Sequence, residues 1–197
     1  MNETNQSPAQ KEWANPTPAG LVALAVACFC FFAMLGGHVE KSAMPLIGCW
    51  LIGGFAVQLV VGLLDLKSGN LTGGNTFLFF SAFFMLAGGL EMFIKSSGAP
   101  VDTRIDGYAW LALTVALLLW TPAFCKQFSL LSLVVLAIDV ALPFITLIDL
   151  KILPPQLSLV PAYALLVAGA IAVYLASAII VNTAFGKTVY PVIGGKK

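Results

Sequence analysis

Residues 14 to 30 read ANPTPAGLVALAVACFC, a stretch that leads from a polar start directly into a long apolar run. Pro16 and Pro18 suit the first turn of a helix, where the N–H group that proline lacks has no intrahelical partner. From residue 16 to residue 37 the chain has no charged residue, histidine, asparagine or glutamine. A helix that crosses the hydrocarbon core of a bilayer needs about 20 such residues. The stretch therefore predicts a membrane-spanning helix that begins at a turn marked by proline.

Five further segments of the chain have the same apolar character and a similar length. Backbone polar groups have no water to bond in lipid, so unbroken apolar segments of this length form helices. They are also too long and too uniformly apolar for the alternating strands of a barrel. The sequence thus predicts an all-α integral membrane protein, a bundle of six transmembrane helices at about 16–37, 46–64, 75–94, 107–124, 127–149 and 157–181.

The composition agrees with a protein that lies mainly in lipid. Of the 197 residues, 59% are hydrophobic and 10% are charged, whereas a typical soluble domain has about 25% charged residues. The formal net charge of +1 gives no indication of a nucleic-acid partner. We expect one transmembrane domain over 15–190, with an N-terminal tail at 1–14 and a C-terminal tail at 191–197.

The basic residues indicate an orientation in the membrane. An even number of spans places both termini on one side, and cytoplasmic segments carry the larger share of lysine and arginine. The tails and the two loops on their side hold six basic residues: Lys11, Lys67, Lys126, Lys187, Lys196 and Lys197. The opposite side holds four: Lys41, Lys95, Arg104 and Lys151. We therefore predict a protein of the cytoplasmic membrane with both termini in the cytoplasm.

Neither metal sites nor enzymatic motifs are indicated. The cysteines at 28, 30, 49 and 125 and the single histidine at 38 have no metal-ligand spacing. The motifs of serine hydrolases, zinc proteases and phosphate-binding loops are missing. We expect no metal and no cofactor, and we predict that the protein is not an enzyme.

Two polar residues lie deep in the predicted spans. Asp139 is in the middle of the fifth span, where a carboxylate costs about 2.5–3.5 kcal/mol. It is either a proton site or pore-lining acid, or a structural acid held by hydrogen bonds. Gln58, in the second span, either bonds a neighbouring helix or lines a polar path, since an unpaired amide is costly in lipid.

Small and aromatic residues also recur at helical spacing. Ala164, Ala168, Ala172 and Ala176 form a stripe on the sixth span that allows another helix to approach closely, within the protomer or in an oligomer. In the third span Phe77, Phe80 and Phe84 share one face. This face either packs against other helices and lipid, or it forms a hydrophobic constriction that excludes water.

Four stretches, in order, resemble motifs of the acetate uptake transporter family, which includes the succinate–acetate permeases. NPTPAGL at 15–21 resembles the Asn-Pro-x-Pro-Leu-Gly-Leu that begins the family's first helix. GGFAVQLVVGLLDLKSGN at 53–70 and NTFLFFSAFF at 75–84 are similar to its second-helix and third-helix motifs, and NTAFGKTVYPVIG at 182–194 to its C-terminal ending. The resemblance covers nearly the whole chain from residue 15.

This resemblance implies a homo-hexamer of six-helix protomers, each of which passes acetate or a related carboxylate such as succinate. It places the family's central constriction at Leu24, Phe80 and Leu133, with phenylalanine at 80 where the family has tyrosine. The family's amide residues correspond to Asn15 and Gln58.

Helix starts favour anions, so Asn15 and Thr17 are suitable donors at the entrance. Asn75 and Thr76, in the third-helix motif, complete the predicted substrate path. We therefore predict a permease or channel for acetate and related small carboxylates, with or without proton linkage. A channel for another small solute and a membrane scaffold without a pore are the alternatives.

Overall fold

The computed structural model describes residues 13–194, so the first 12 residues of the predicted N-terminal tail lie outside the described residues, as do the last three of the chain. Lys11, Lys196 and Lys197, which contributed to the predicted orientation, are among them. Six helices are long and apolar enough to cross a membrane. They are α1 (Thr17–Leu35), α2 (Met44–Lys67), α3 (Leu71–Ser96), α4 (Arg104–Cys125), α5 (Leu130–Asp149) and α6 (Leu159–Phe185). The predicted architecture of an all-α integral membrane protein with six apolar spans is confirmed.

Local hydrogen bonds fix where several helices begin and end. Asn70 caps α3, because its Oδ1 accepts from the backbone N–H of Gly73 at 3.0 Å. Ser129 and Ser132 form a reciprocal capping box at the start of α5. Gly186 ends α6 in the left-handed conformation, with φ of 62°, which glycine adopts without steric cost. These residues explain why short polar stretches suffice to separate the spans.

The six helices form a ring in chain order. Neighbouring helices pack along one another from α1 to α3 and from α4 to α6, and α6 closes the ring by packing against α1. Between α3 and α4 the contact is made largely by aromatic edges. Phe79 meets Trp120 with ring centroids 5.4 Å apart, and Phe84 meets Trp110 at 5.6 Å. The buried core therefore lies along the axis of the ring.

Small residues bring α2 and α3 into backbone contact. A Cβ atom at Gly48 would lie 2.7 Å from the carbonyl oxygen of Gly89, and one at Gly62 would lie 3.0 Å from that of Gly74. On α6, the predicted alanine stripe is largely buried within the protomer, where Ala168, Ala172 and Ala176 are at most 1% exposed. The stripe is thus used for packing inside the protomer.

The middle of α3 departs from regular α-helical geometry. Residues Phe80–Ala87 form a π-helical segment, so the helix turns more slowly here than its sequence spacing implies. Such segments are rare and frequently occur at functional sites. The segment begins at Phe80, one of the residues predicted to form the constriction.

Candidate functional site

An open cavity of about 690 Å³ lies at the end of the ring where α1 begins and α2 ends. We call it the vestibule; it is lined by residues 13–17 and by Leu64, Asp65, Lys67, Ser68 and Asn70. The Lys67 ammonium lies 5.2 Å from the centre of the Trp13 ring, which is a cation–π distance. The vestibule therefore offers both a positive charge and amide groups to a solute that approaches from this side.

Asn15 has a structural contact as well as a place in the vestibule. Its Oδ1 accepts from the backbone N–H of Thr17 at 3.0 Å, which satisfies one of the free N–H groups at the start of α1. Thr17, two residues later, lines the inner cavity. The Asn-Pro-x-Pro start thus fixes the entry of α1 and places Asn15 and Thr17 beside the entrance.

A smaller, enclosed cavity of about 50 Å³ lies further inside the ring. We call it the inner cavity. Thr17, Asp65 and Asn70 line both it and the vestibule, so they form the boundary between the two spaces. Its apolar walls come from four helices, α1, α3, α4 and α5: Leu21, Leu24, Phe77, Phe80, Leu117, Phe124, Leu131, Val134, Val135 and Ile138.

Two buried polar side chains in the wall of the inner cavity have unpaired oxygen atoms. Gln58 is 0% exposed; its Nε2 donates to the carbonyl oxygen of Gly20 at 3.3 Å, and its Oε1 has no partner. The hydroxyl of Thr76 is likewise buried without a partner. Buried polar atoms are almost always hydrogen-bonded, and leaving one unpaired costs about 1–3 kcal/mol. These two atoms are therefore suited to a polar ligand or to water in the inner cavity.

The three residues predicted to form the constriction do not all lie in the wall of the inner cavity. Leu24 and Phe80 are buried and line the inner cavity. Leu133 is half-buried and lies outside the wall, whereas its neighbour Val134 lies in it. Successive residues on a helix point about 100° apart, so neighbours on α5 face different directions. The α5 part of the wall is formed by Leu131, Val134, Val135 and Ile138, and a role for Leu133 stays a prediction.

Aromatic rings close the inner cavity on the side away from the vestibule. The Phe80 ring meets that of Phe84 at 5.7 Å, and Phe84 stacks on Phe31 at 5.1 Å and meets Trp110 at 5.6 Å. Edge-to-face and stacked contacts of this kind are favourable beyond the area they bury. The predicted aromatic face of α3 therefore packs inside the ring.

Two predicted site residues lie elsewhere. The Nδ2 of Asn75 donates to the carbonyl oxygen of Leu71 in its own helix at 2.8 Å, and Asn75 does not line the inner cavity. Asp139 lies between α4 and α5, where its Oδ2 is 2.6 Å from the Thr121 hydroxyl. One oxygen of Asp139 is thus held at a helix contact, whereas its Oδ1 is buried without a partner, and a proton-site role for Asp139 stays a prediction.

Asp65 and Asn70, which bound the inner cavity, were not among the predicted site residues. The predicted second span stopped at residue 64, whereas α2 continues to Lys67 and carries Asp65 inside the ring. The Oδ2 of Asp65 accepts from the Nδ2 of Asn70 at 3.0 Å. The signal in the sequence was the acid followed five residues later by a helix-capping asparagine.

The opposite end of the ring carries a different charge arrangement. Lys95, near the end of α3, lies 2.6 Å from a carboxylate oxygen of Asp106 and 3.1 Å from one of Glu91. In the adjacent loop lies Asp102, and the guanidinium of Arg104, the first residue of α4, holds the pKa of the Asp102 carboxyl well below its usual range. One ion pair, between Lys95 and Asp106, therefore ties α3 to α4 at this end, whereas amide groups, Asp65 and one lysine line the other.

Comparison with known proteins supports the fold. No protein-family model matches the sequence, and no curated protein matches it. Among solved structures, the chain is similar to one described as the bacterial acetate channel SatP, with 22% sequence identity and a TM-score of 0.81. The match covers 91% of this chain and 99% of that chain. The resemblance drawn from four sequence stretches is thereby supported at the level of the fold.

Proposed function

We propose that the protein is a channel or permease that carries acetate and similar small carboxylates across a membrane. The observation that carries this proposal is the inner cavity, where Gln58 and Thr76 present unpaired polar atoms inside an apolar enclosure. The likeness in fold to a protein described as an acetate channel supports the same conclusion.

The size of the inner cavity favours acetate over succinate. A cavity needs about 10–15 Å³ of volume accessible to a water-sized probe to hold one water, so the inner cavity, at about 50 Å³, has room for only a few water-sized groups. Acetate has about four non-hydrogen atoms and succinate about eight. We therefore propose that acetate fits the inner cavity without a change in the positions of its wall residues. Succinate enters only if those residues move apart.

The distribution of polar residues distinguishes transport from the scaffold alternative. Thr17, Gln58, Asp65, Asn70 and Thr76 come from three helices and converge on one cavity. A scaffold without a pore has no need for such convergence, because each buried polar group costs free energy unless it is paired. The convergence favours a transport path, for acetate or for another solute of similar size.

Two further features belong to the proposal. We place both termini in the cytoplasm, so that the vestibule faces the cytoplasm, and we take the functional unit to be a homo-hexamer. Little of α4 is buried within the protomer, which leaves its face available to a second copy or to lipid. Cross-linking or native mass spectrometry in a membrane mimetic tests the hexamer directly.

Labelled acetate uptake into proteoliposomes tests the proposed function. Succinate, formate and lactate serve as competitors, and empty liposomes give the background. Gln58→Leu should reduce protein-dependent uptake at least about tenfold because it removes a buried polar partner worth at least about 1.4 kcal/mol. Gln127→Leu, at an exposed loop position, is the matched control and should leave uptake unchanged. Absence of protein-dependent uptake of all four acids would defeat the proposal.

A further inference from the structure

After α6 the chain turns at Gly186 and runs back over the bundle, at the end of the ring that holds the vestibule. We call residues 187–194 the strap. It forms no helix or strand of its own, so its backbone polar groups need partners from the solvent or from the helices beside it.

Two side chains of α6 supply several of these partners. The Oδ1 of Asn182 accepts from the backbone N–H groups of Val189 and Tyr190 at 2.7 and 2.9 Å. Its Nδ2 donates to the carbonyl oxygen of Tyr190 at 2.8 Å. Earlier in α6, the Tyr174 hydroxyl donates to the carbonyl oxygen of Pro191 at 2.8 Å. Four hydrogen bonds, three of them from one amide group, therefore fasten the strap to α6.

The far end of the strap lies against the loop between α4 and α5. A Cβ atom at Gly194 would overlap the carbonyl oxygen of Phe128 and would lie 2.9 Å from the Cβ of Ser129, so the two segments are in backbone contact. Beside this contact is a groove of about 230 Å³, whose walls include Leu131 of α5 and Val192 of the strap. The strap thus connects the end of α6 to the start of α5.

The start of α5 is also part of the wall of the inner cavity. Leu131 lines the inner cavity as well as the groove under the strap. The Ser132 hydroxyl donates to the carbonyl oxygen of Phe124 at 2.7 Å, and Phe124 lines the inner cavity from α4. A movement of the loop between α4 and α5 would therefore move two wall residues together, one on each helix.

The two sides of the inner cavity are held in different ways. Helices α2 and α3 are in backbone contact at Gly48 and Gly62, whereas α4 meets α3 largely through aromatic edges such as Phe79 against Trp120. Little of α4 is buried within the protomer. The position of the wall on the side of α4 and α5 therefore depends more on what holds it from α6, which includes the strap.

We propose that Asn182 is a positioning residue for the transport path, because the strap that it holds keeps Leu131 and Phe124 in the wall and the inner cavity narrow. Release of the strap lets the start of α5 move outwards, and the inner cavity then admits carboxylates larger than acetate. This inference rests on the proposed function and adds to it a determinant of substrate size that does not itself line the inner cavity.

Asn182→Leu tests the proposal, since leucine is close in size to asparagine and forms none of the three hydrogen bonds. Their loss should raise the fraction of protein with a released strap at least about tenfold. Trypsin cleavage after Lys187, followed by mass spectrometry, should become faster by the same factor, because proteolysis tracks the population of an open form. The succinate-to-acetate uptake ratio in proteoliposomes should also rise about tenfold, because succinate passes only through the released form.

Thr183→Val is the matched control, an isosteric change at the next residue, which is exposed, and it should leave both measurements at their wild-type values. Tyr174→Phe removes one hydrogen bond and should shift both in the same direction as Asn182→Leu, by a smaller factor.

Faster cleavage after Lys187 with an unchanged uptake ratio would overturn the proposal, because the strap would then be released without widening the inner cavity. Unchanged cleavage in both strap variants would overturn it as well. A loss of uptake of both acids in equal proportion would indicate a stability effect alone and would also count against it. Absence of wild-type uptake would instead defeat the proposed function itself.

Discussion

Phe80→Ala should widen the inner cavity enough to admit succinate. Phe80 is 5% exposed, lines the inner cavity and contacts Phe79 and Phe84 with centroid distances of 4.6 and 5.7 Å. Truncation removes about six ring carbons beside a space for only a few water-sized groups, so the enlarged cavity holds about ten non-hydrogen atoms. We expect the succinate-to-acetate uptake ratio in proteoliposomes to rise at least about tenfold. Truncating a buried phenylalanine to alanine typically lowers the free energy of unfolding by about 3–5 kcal/mol. We expect the lower value, about 3 kcal/mol, because Phe80 already borders a cavity and so loses fewer packing contacts.

The matched control is Phe83→Ala in the same π-helical segment. Phe83 is 58% exposed and does not line the inner cavity, so its removal should leave the uptake ratio unchanged. An unaltered rate and ratio in Phe80→Ala would refute the assignment of Phe80 to the constriction. An equal effect of both variants would show that the segment acts through its packing rather than through the ring of Phe80.

Three other substitutions probe separate parts of the ring. Gly20→Ala places a Cβ atom 2.6 Å from the Phe77 ring; thermal unfolding should show a loss of about 1–3 kcal/mol, and acetate uptake should fall as the ring moves into the cavity. Lys95→Met leaves the carboxylate of Asp106 buried without its cation, which should cost about 2–3 kcal/mol; adding Asp106→Asn should recover part of this loss. Asp139→Asn should leave the pH dependence of uptake as it is, and a changed pH profile would make Asp139 the proton site after all.

The six-helix fold could be predicted from the sequence because the lipid environment imposes the same requirement on every span. Segments of about 20 apolar residues must be helices in lipid, and each of the six predicted segments coincides with a helix. The ends were less certain, since α2 and α3 extend several residues beyond their apolar runs. Asp65 lies in one such extension, which is why the apolar pattern did not include it.

Helical spacing locates residues around the inner cavity only where the register is certain. Leu24, Gln58, Thr76 and Phe80 line the cavity, and their roles in transport stay predictions. Leu133 lies next to the wall residue Val134, and an offset of about 100° exchanges an inward side chain for its neighbour. The sequence singled out Asp139 because a carboxylate is costly in lipid. It could not identify the partner of Asp139, because Thr121 lies on another helix and the two meet only in the folded bundle.

The packing of α6 against α1 has a consequence for the synthesis of the protein. Helix α1 is synthesised first, but α6, which packs against it, is complete only after residue 185 has been added. The ring therefore closes late in translation. Until then the surface of α1 that contacts α6 in the finished ring has no helix partner. A nascent chain lacking α6 therefore leaves the ring open, and the bundle is completed only with the last span.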